Sequence, residues 1–152
     1  MTEAQLRELL SEYLTLLQRH PSAEEMMTVV LTPDFETGFE TGVRWKGLEG
    51  LRDFLSQRDG FFDELHQVKD VLAMEAASED ELRANTRLDF FLRRWEAPSP
   101  TSQEFTGSCF HSWVLRREPD RWRVAAQIVQ RFDNLNDNAK RLFATPDEGL
   151  NR

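Results

Sequence analysis

The sequence predicts an α+β domain in which helices come first and an antiparallel sheet follows. Apolar residues recur at three- and four-residue spacings through the first third of the chain and again near residues 48–58, and they alternate from about residue 66 to residue 132. The connections between successive strand segments are short, which forces antiparallel neighbours. A chain of 152 residues has room for one domain of ordinary size. Its expected bounds are 1–133, with 134–152 as a polar C-terminal tail, partly helical or mobile.

Each element has its own signal. Leu6, Leu9, Leu10, Tyr13, Leu16 and Leu17 make one apolar stripe, opened by a Thr2–Gln5 capping box. Ser22 and Glu25 repeat that spacing before a shorter helix carrying Met26, Met27, Val29 and Val30, which Pro33 stops. Phe35, Phe39, Val43 and Trp45 then share a parity, with Gly38 and Gly42 marking a bend or hairpin. A third helix spans about Leu48 to Arg58, and Gly60 ends it. Four strands follow, near His66–Glu75, Glu81–Trp95, Gln103–Arg116 and Arg121–Phe132.

Charge and cysteine content remove several function classes. Nineteen Lys and Arg against 27 Asp and Glu give a net charge of −8, with no basic run, so neither nucleic acid nor an anionic membrane surface is an expected partner. Cys109 is the only cysteine, which excludes an internal disulfide and any cysteine-based zinc site. His20, His66 and His111 lack metal-ligand spacing, and no glycine-rich phosphate loop is present, so neither a metal nor a nucleotide cofactor is expected. Charged residues interrupt the N-terminal leucines, and nothing approaches the roughly 20 apolar residues of a membrane helix. A cytoplasmic protein is expected.

The strand near 81–95 places Leu82, Ala84, Thr86, Leu88, Phe90 and Leu92 on its buried face. A tight turn at Glu118-Pro119-Asp120 would pair Leu115 with Trp122, Trp113 with Val124 and His111 with Ala126. On that register one face combines Thr86, Leu88, Phe90, Ser108, Phe110, Ser112, Gln127 and Val129, a mostly apolar wall with a few polar groups suited to a small hydrophobic molecule. The other carries Phe91, Trp95, Trp113, Trp122, Ile128 and Phe132, an apolar patch that a homodimer through the outer sheet face would cover.

The stretches Ser11-Glu12-Tyr13-Leu14, Leu31-Thr32-Pro33-Asp34-Phe35-Glu36, Trp45-Lys46-Gly47-Leu48-Glu49-Gly50-Leu51 and Arg121-Trp122-Arg123-Val124 resemble, in order and spacing over residues 4 to 132, the nuclear transport factor 2-like superfamily. Within it they look like the SnoaL-like polyketide-cyclase and ketosteroid-isomerase branch. The resemblance implies a cone-like half barrel, three N-terminal helices on a strongly curved sheet, whose mouth holds a small hydrophobic molecule, and it implies a dimer. It places Tyr13 where ketosteroid isomerases carry an oxyanion-binding tyrosine, Ser112 where they carry a neutral acid, and Phe39 or Glu40 where they carry the base. Limonene-epoxide-hydrolase-like members use an Asp–Arg–Asp set, for which Asp89, Arg87 and Arg131 are present. Scytalone-dehydratase-like members use two histidines, for which His66 and His111 are present.

From these residues the expected catalytic pair is Tyr13 as hydrogen-bond donor and Glu40, or Glu36, as base. The expected ligand-binding set is Thr86, Leu88, Phe90, Phe110, Ser112, Gln127 and Val129. The expected activity is that of a cofactor-independent isomerase, cyclase or dehydratase. The alternative is a non-catalytic ligand-binding or dimerisation module. His111, with Cys109 and Trp113 on its parity, is expected at a subunit interface.

Overall fold

The computed structural model describes residues 1–143. Helix α1 (Glu3–Gln18) begins with the reciprocal capping box: Gln5 N–H donates to Thr2 Oγ1 at 3.1 Å and Thr2 N–H to Gln5 Oε1 at 2.8 Å. Helix α2 (Ala23–Val29) starts where Ser22 Oγ accepts the Glu25 N–H at 3.1 Å. Strand β1 (Leu31–Phe39) runs through Pro33 rather than starting after it. It can do so because its pairing is irregular between Leu31 and Glu36, so the missing proline donor breaks no ladder bond. A hairpin joins β1 to β2 (Arg44–Lys46). At its root Gly38 has φ +139°, and a Cβ there would lie 2.2 Å from the Val43 carbonyl oxygen, so only glycine fits.

Helix α3 (Gly47–Ser56) precedes four long strands: β3 (Phe61–Ala76), β4 (Glu81–Arg94), β5 (Gln103–Arg117) and β6 (Trp122–Asp133). One sheet results, in the order β2-β1-β6-β5-β4-β3, antiparallel except where β1 runs parallel to β6. The expected α+β class holds: the helices pack on one face of a six-stranded, unclosed sheet, and the core is what lies between them. Leu6, Leu10, Tyr13, Met26, Phe35, Leu88, Phe105, Trp113 and Leu115 are all buried there.

The expected register between the last two strands is corrected. Glu118 N–H donates to Arg121 O at 2.9 Å, the turn closes on Arg117 opposite Trp122, and irregularities follow at Val114/Leu115 and Phe110/His111. Leu115 therefore faces Val124, Trp113 faces Gln127 and His111 faces Val129. Across β4, Thr86 faces His111 and Leu88 faces Cys109. The odd residues of β5 thus share the inner face with the even residues of β4. Trp113 and Phe132 belong to the interior, not to an outer aromatic face.

The part of the tail at 134–143 is ordered against the sheet. Helix α4 (Asp137–Leu142) is capped by Asn136 Oδ1, which accepts the Ala139 N–H at 2.9 Å, and the Asn136 and Asn138 amides donate to Glu104 O at 2.9 and 3.0 Å. Gly107 makes room for its approach, because a Cβ there would meet Leu135 Cδ2 at 2.5 Å. The remainder of the expected tail, 144–152, lies outside the described residues.

Candidate active site

A cavity of about 250 Å³ lies between the inner face of the sheet and helices α1, α3 and α4. Leu14, Phe54, Leu88, Phe90, Val129 and Phe143 are among its apolar walls, and its polar groups include Arg58, His66, Arg94, His111 and Gln127. No Asp or Glu lines it among the described residues. The end near α4 is aromatic: Phe143 stacks on Phe132 with ring centroids 4.4 Å apart and meets Phe90 edge-on at 5.9 Å.

The innermost polar groups form a chain of hydrogen bonds. The buried Tyr13 hydroxyl donates to Gln127 Oε1, and its ring stands edge-on to Trp113 at 5.5 Å. Burial pushes this hydroxyl far above its ordinary titration range, against the pull of the nearby Arg58 charge. With Oε1 taken by Tyr13, the Gln127 amide donates through Nε2 to His111 Nε2 at 3.3 Å. That arrangement assigns the proton of His111 to Nδ1, which is buried and has no partner. Burial lowers His111 from its ordinary 6.5 to about 3, with the neighbouring His66 adding to the effect, so the ring is neutral at pH 7. Cys109 Sγ lies 3.5 Å from His111 Nε2, and burial drives its thiol well above the usual range, so no thiolate nucleophile is present.

The second group of polar residues comes from the start of β3. Between Phe62 and Leu65 the β3–β4 register gains one residue, and Asp63 takes φ +50°. Glu64, two residues before His66, shares its inward face, and the bulge lets Phe61 face inward as well although it stands an odd number of residues away. Glu64 is fully buried and gathers three cations or potential cations: Arg58 at Oε2, His66 Nε2 at 3.2 Å from Oε2, and His20 at Oε1. Burial alone would raise the Glu64 carboxyl, but the His66 hydrogen bond and the charges of Arg58, His66 and His20 hold it below its usual value. His66 is lowered from its ordinary value, chiefly by burial, with Glu64 opposing. His20 follows α1 with φ +53° and is part-exposed, so Glu64 lies between a cavity imidazole and one that reaches solvent.

Several expected residues lie elsewhere. Leu88, Phe90, Gln127 and Val129 line the cavity. Thr86 is on the same face but behind the lining, where its Oγ1 accepts the Trp113 Nε1–H at 2.8 Å. Phe110 and Ser112 stand on the outer face because they pair with Arg87 and Asn85, the outward residues of β4, and the Arg131 guanidinium covers the Phe110 ring at 3.6 Å. Glu40 is exposed beyond the end of β1: its N–H donates to Val129 O at 2.9 Å, so the chain there continues along the sheet edge and its side chain points out. Glu36 pairs with Arg44 at 2.9 Å, also away from the cavity. Arg87 bridges Asp70 and Asp89 on the outer face, so no Asp–Arg–Asp set enters the cavity. His111 lies inside, not on an outer interface. Sequence reasoning missed Arg58, Glu64 and Arg94. The Glu64-x-His66 spacing was the available signal, had the strand been started before residue 64.

The family model described as a SnoaL-like domain matches residues 2–127. The chain belongs to the SnoaL-like domain family. Among solved structures, this SnoaL-like domain is similar to a scytalone dehydratase-like protein of Novosphingobium aromaticivorans, with 14% identity, a TM-score of 0.71, and 87% of this chain and 84% of that one covered. A type 3 hexachlorocyclohexane dehydrochlorinase of Novosphingobium barchaimii gives 16%, 0.68, 88% and 87%. A Mycobacterium tuberculosis protein of unknown function gives 16%, 0.66, 97% and 87%. At these identities the likeness is one of fold. No curated protein matches the sequence. No helix among the described residues is long and apolar enough to cross a membrane, and among them no three His, Cys, Asp or Glu side chains group as metal ligands do.

Proposed function

We propose that this SnoaL-like domain moves a proton on a small hydrophobic molecule, as a dehydratase, isomerase or cyclase does, without a cofactor. The observation that carries the reading is the sharing of one mostly apolar cavity by two histidines that burial keeps neutral, His66 and His111, with His66 bonded to the buried Glu64 carboxylate. A neutral imidazole can take a proton from an acidic C–H, and the carboxylate behind it stabilises the imidazolium that forms. The electron pair left on carbon then shifts to a double bond, expelling hydroxide or halide or moving the unsaturation. His111 Nδ1–H is a donor for the oxygen on which charge develops. Tyr13 acts through Gln127 as a positioning residue, because its hydroxyl is already spent on that amide. The names of the scytalone dehydratase-like and dehydrochlorinase structures, both eliminations, agree with this class of chemistry.

Two hydrophobic probes test it: 1-tetralone in D2O, followed by NMR for deuterium entering beside the carbonyl, and a cyclic vicinal chlorohydrin, followed for loss of chloride. The expected result is turnover of at least one above the buffer rate, abolished in His66→Gln with probe binding retained. Buffer-rate behaviour of the unmodified protein with bound probes would favour the second reading, a domain that holds a ligand without converting it. That reading is favoured by the lack of a lining carboxylate among the described residues. A homodimer through the outer sheet face remains part of the proposal, supported by the exposure of Leu65, Leu72 and Trp95. Light scattering at the monomer mass would remove it.

A further inference from the structure

The chain carries a net charge of −8, yet the charged residues in the cavity wall are two arginines, Arg58 and Arg94, with no Asp or Glu beside them among the described residues. The two are not equivalent. Arg58 is neutralised by the fully buried Glu64 and also donates to Leu17 O at 3.4 Å. Its charge is therefore used within the protein.

Arg94 is the last inward-facing residue of β4, opposite Phe61 at the start of β3. Aromatic rings flank its guanidinium, with Phe105 centred 5.3 Å and Phe61 5.9 Å away. Its stem runs past Gly60, where an added Cβ would lie 3.7 Å from Arg94 Cδ. The ion partner is Glu96 at 3.4 Å, a side chain 65% exposed and two residues along the chain, and Arg94 Nε is buried with no partner. A pair held at that distance by so exposed a carboxylate contributes little, and a ligand anion would displace it at small loss. The flanking rings leave the Arg94 side chain 22% exposed, shielding it from much of the solvent, which strengthens its attraction for an anion that reaches it through the cavity.

Resting on the reading that this cavity holds a ligand, we infer that the ligand is a hydrophobic monocarboxylate, its rings among Phe54, Leu88 and Phe90 and its carboxylate on the Arg94 guanidinium. The planar fork of arginine matches a carboxylate with two parallel N–H···O bonds, which a neutral amide cannot reproduce. A volume of about 250 Å³ lies below the roughly 300 Å³ at which pockets for drug-sized ligands begin, and so suits one or two fused rings.

Calorimetric titration with 2-naphthoate and with 2-naphthamide, which has the same rings and no charge, tests the inference at pH 7. The unmodified protein is expected to bind naphthoate about tenfold tighter than naphthamide or more. Arg94→Gln is expected to erase that difference by weakening naphthoate alone, and Arg94→Lys to restore part of it. Equal affinities for the two probes in the unmodified protein, or a preference for naphthoate that survives in Arg94→Gln, would overturn the monocarboxylate while leaving the cavity as a ligand site. If neither probe binds at millimolar concentration, the cavity reading falls with it. Should Arg94→Gln fail to fold, the comparison of the two probes on the unmodified protein decides alone.

Discussion

Two arginine–carboxylate pairs, one on each face of the same sheet, differ almost wholly in their surroundings. Inside, Arg58 and Glu64 meet with side chains 8% and 0% exposed. Outside, Arg87 Nε meets Asp70 Oδ2 at 2.7 Å with side chains 31% and 50% exposed, and Asp89 and Ser108 complete a ladder that water reaches. The outer pair has the better hydrogen-bond network and the smaller stake in stability, since solvent screens it and replaces either partner. The inner pair has lost its water and depends on each member for the other's solvation. The proposed proton transfer falls on the inner face, where water is excluded and Glu64 is shared among Arg58, His66 and His20.

The widest separation between the two faces is expected on breaking each pair. Glu64→Ala leaves the Arg58 guanidinium buried with little but the Leu17 carbonyl, and should cost about 3–5 kcal/mol in denaturant unfolding. The double change Arg58→Met with Glu64→Leu should recover most of that loss, because the charge and its partner leave together. A double variant no more stable than Glu64→Ala would show that the pair is needed for packing and not only for mutual neutralisation.

A smaller effect, about 2 kcal/mol, should appear in mild acid between pH 6.5 and 5. His111 falls from its ordinary 6.5 to about 3 in the folded chain, so below pH 6.5 the unfolded chain binds a proton that the folded one refuses. Stability should therefore drop as pH falls from 6.5 toward 3, by about 1.4 kcal/mol per pH unit for that one proton, with no contribution to the slope above 6.5. His66 is lowered in the same direction and adds to the slope. Unfolding measured between pH 6.5 and 5, above the range where Glu64 titrates, should show His111→Gln with the shallower dependence; equal slopes would mean that His111 is not held neutral. The smallest effect is reserved for the outer face, where Asp70→Ala should leave the unfolding midpoint within the scatter of repeated melts. A clear loss there would erase the distinction between the two faces.

Much of the architecture was legible in the sequence, for physical reasons that also explain where legibility stopped. Stripes such as Leu6-Leu10-Tyr13-Leu17 and the alternation from Leu82 to Leu92 are local, and each is fixed by the face that must leave water. Register between β5 and β6 is not local. It depends on a turn two residues tighter than expected, with Arg117 and not Leu115 opposite Trp122, and on two irregularities at Val114/Leu115 and Phe110/His111, none of which has a marker in the residues themselves. Register between β4 and β5, set across the connection around Pro98 and Pro100, is not local either: it puts Cys109 opposite Leu88 and His111 opposite Thr86, so Phe110 and Ser112, expected inside, lie outside, and His111 and Trp113, expected outside, lie inside. Glu40 was misplaced for a related reason, since the resemblance carried a base to the end of the first strand, where the hairpin holds it outside. Leu88, Phe90, Gln127 and Val129 were placed in the wall from parity and apolar character, although for Gln127 and Val129 the partners assumed across the sheet were different ones.

The left-handed turn at Asp63 has a consequence for how such a wall can change over generations. Removing that single residue would restore an unbroken ladder in which Glu64 stands opposite Leu92 and stays on the inward side with His66, two residues along. No acid or base changes face when the length changes here. Elsewhere in a strand one residue gained or lost turns every side chain beyond it to the other face, whereas at this point the strand can gain or lose one by an in-frame insertion or deletion and keep the histidine's supporting carboxylate.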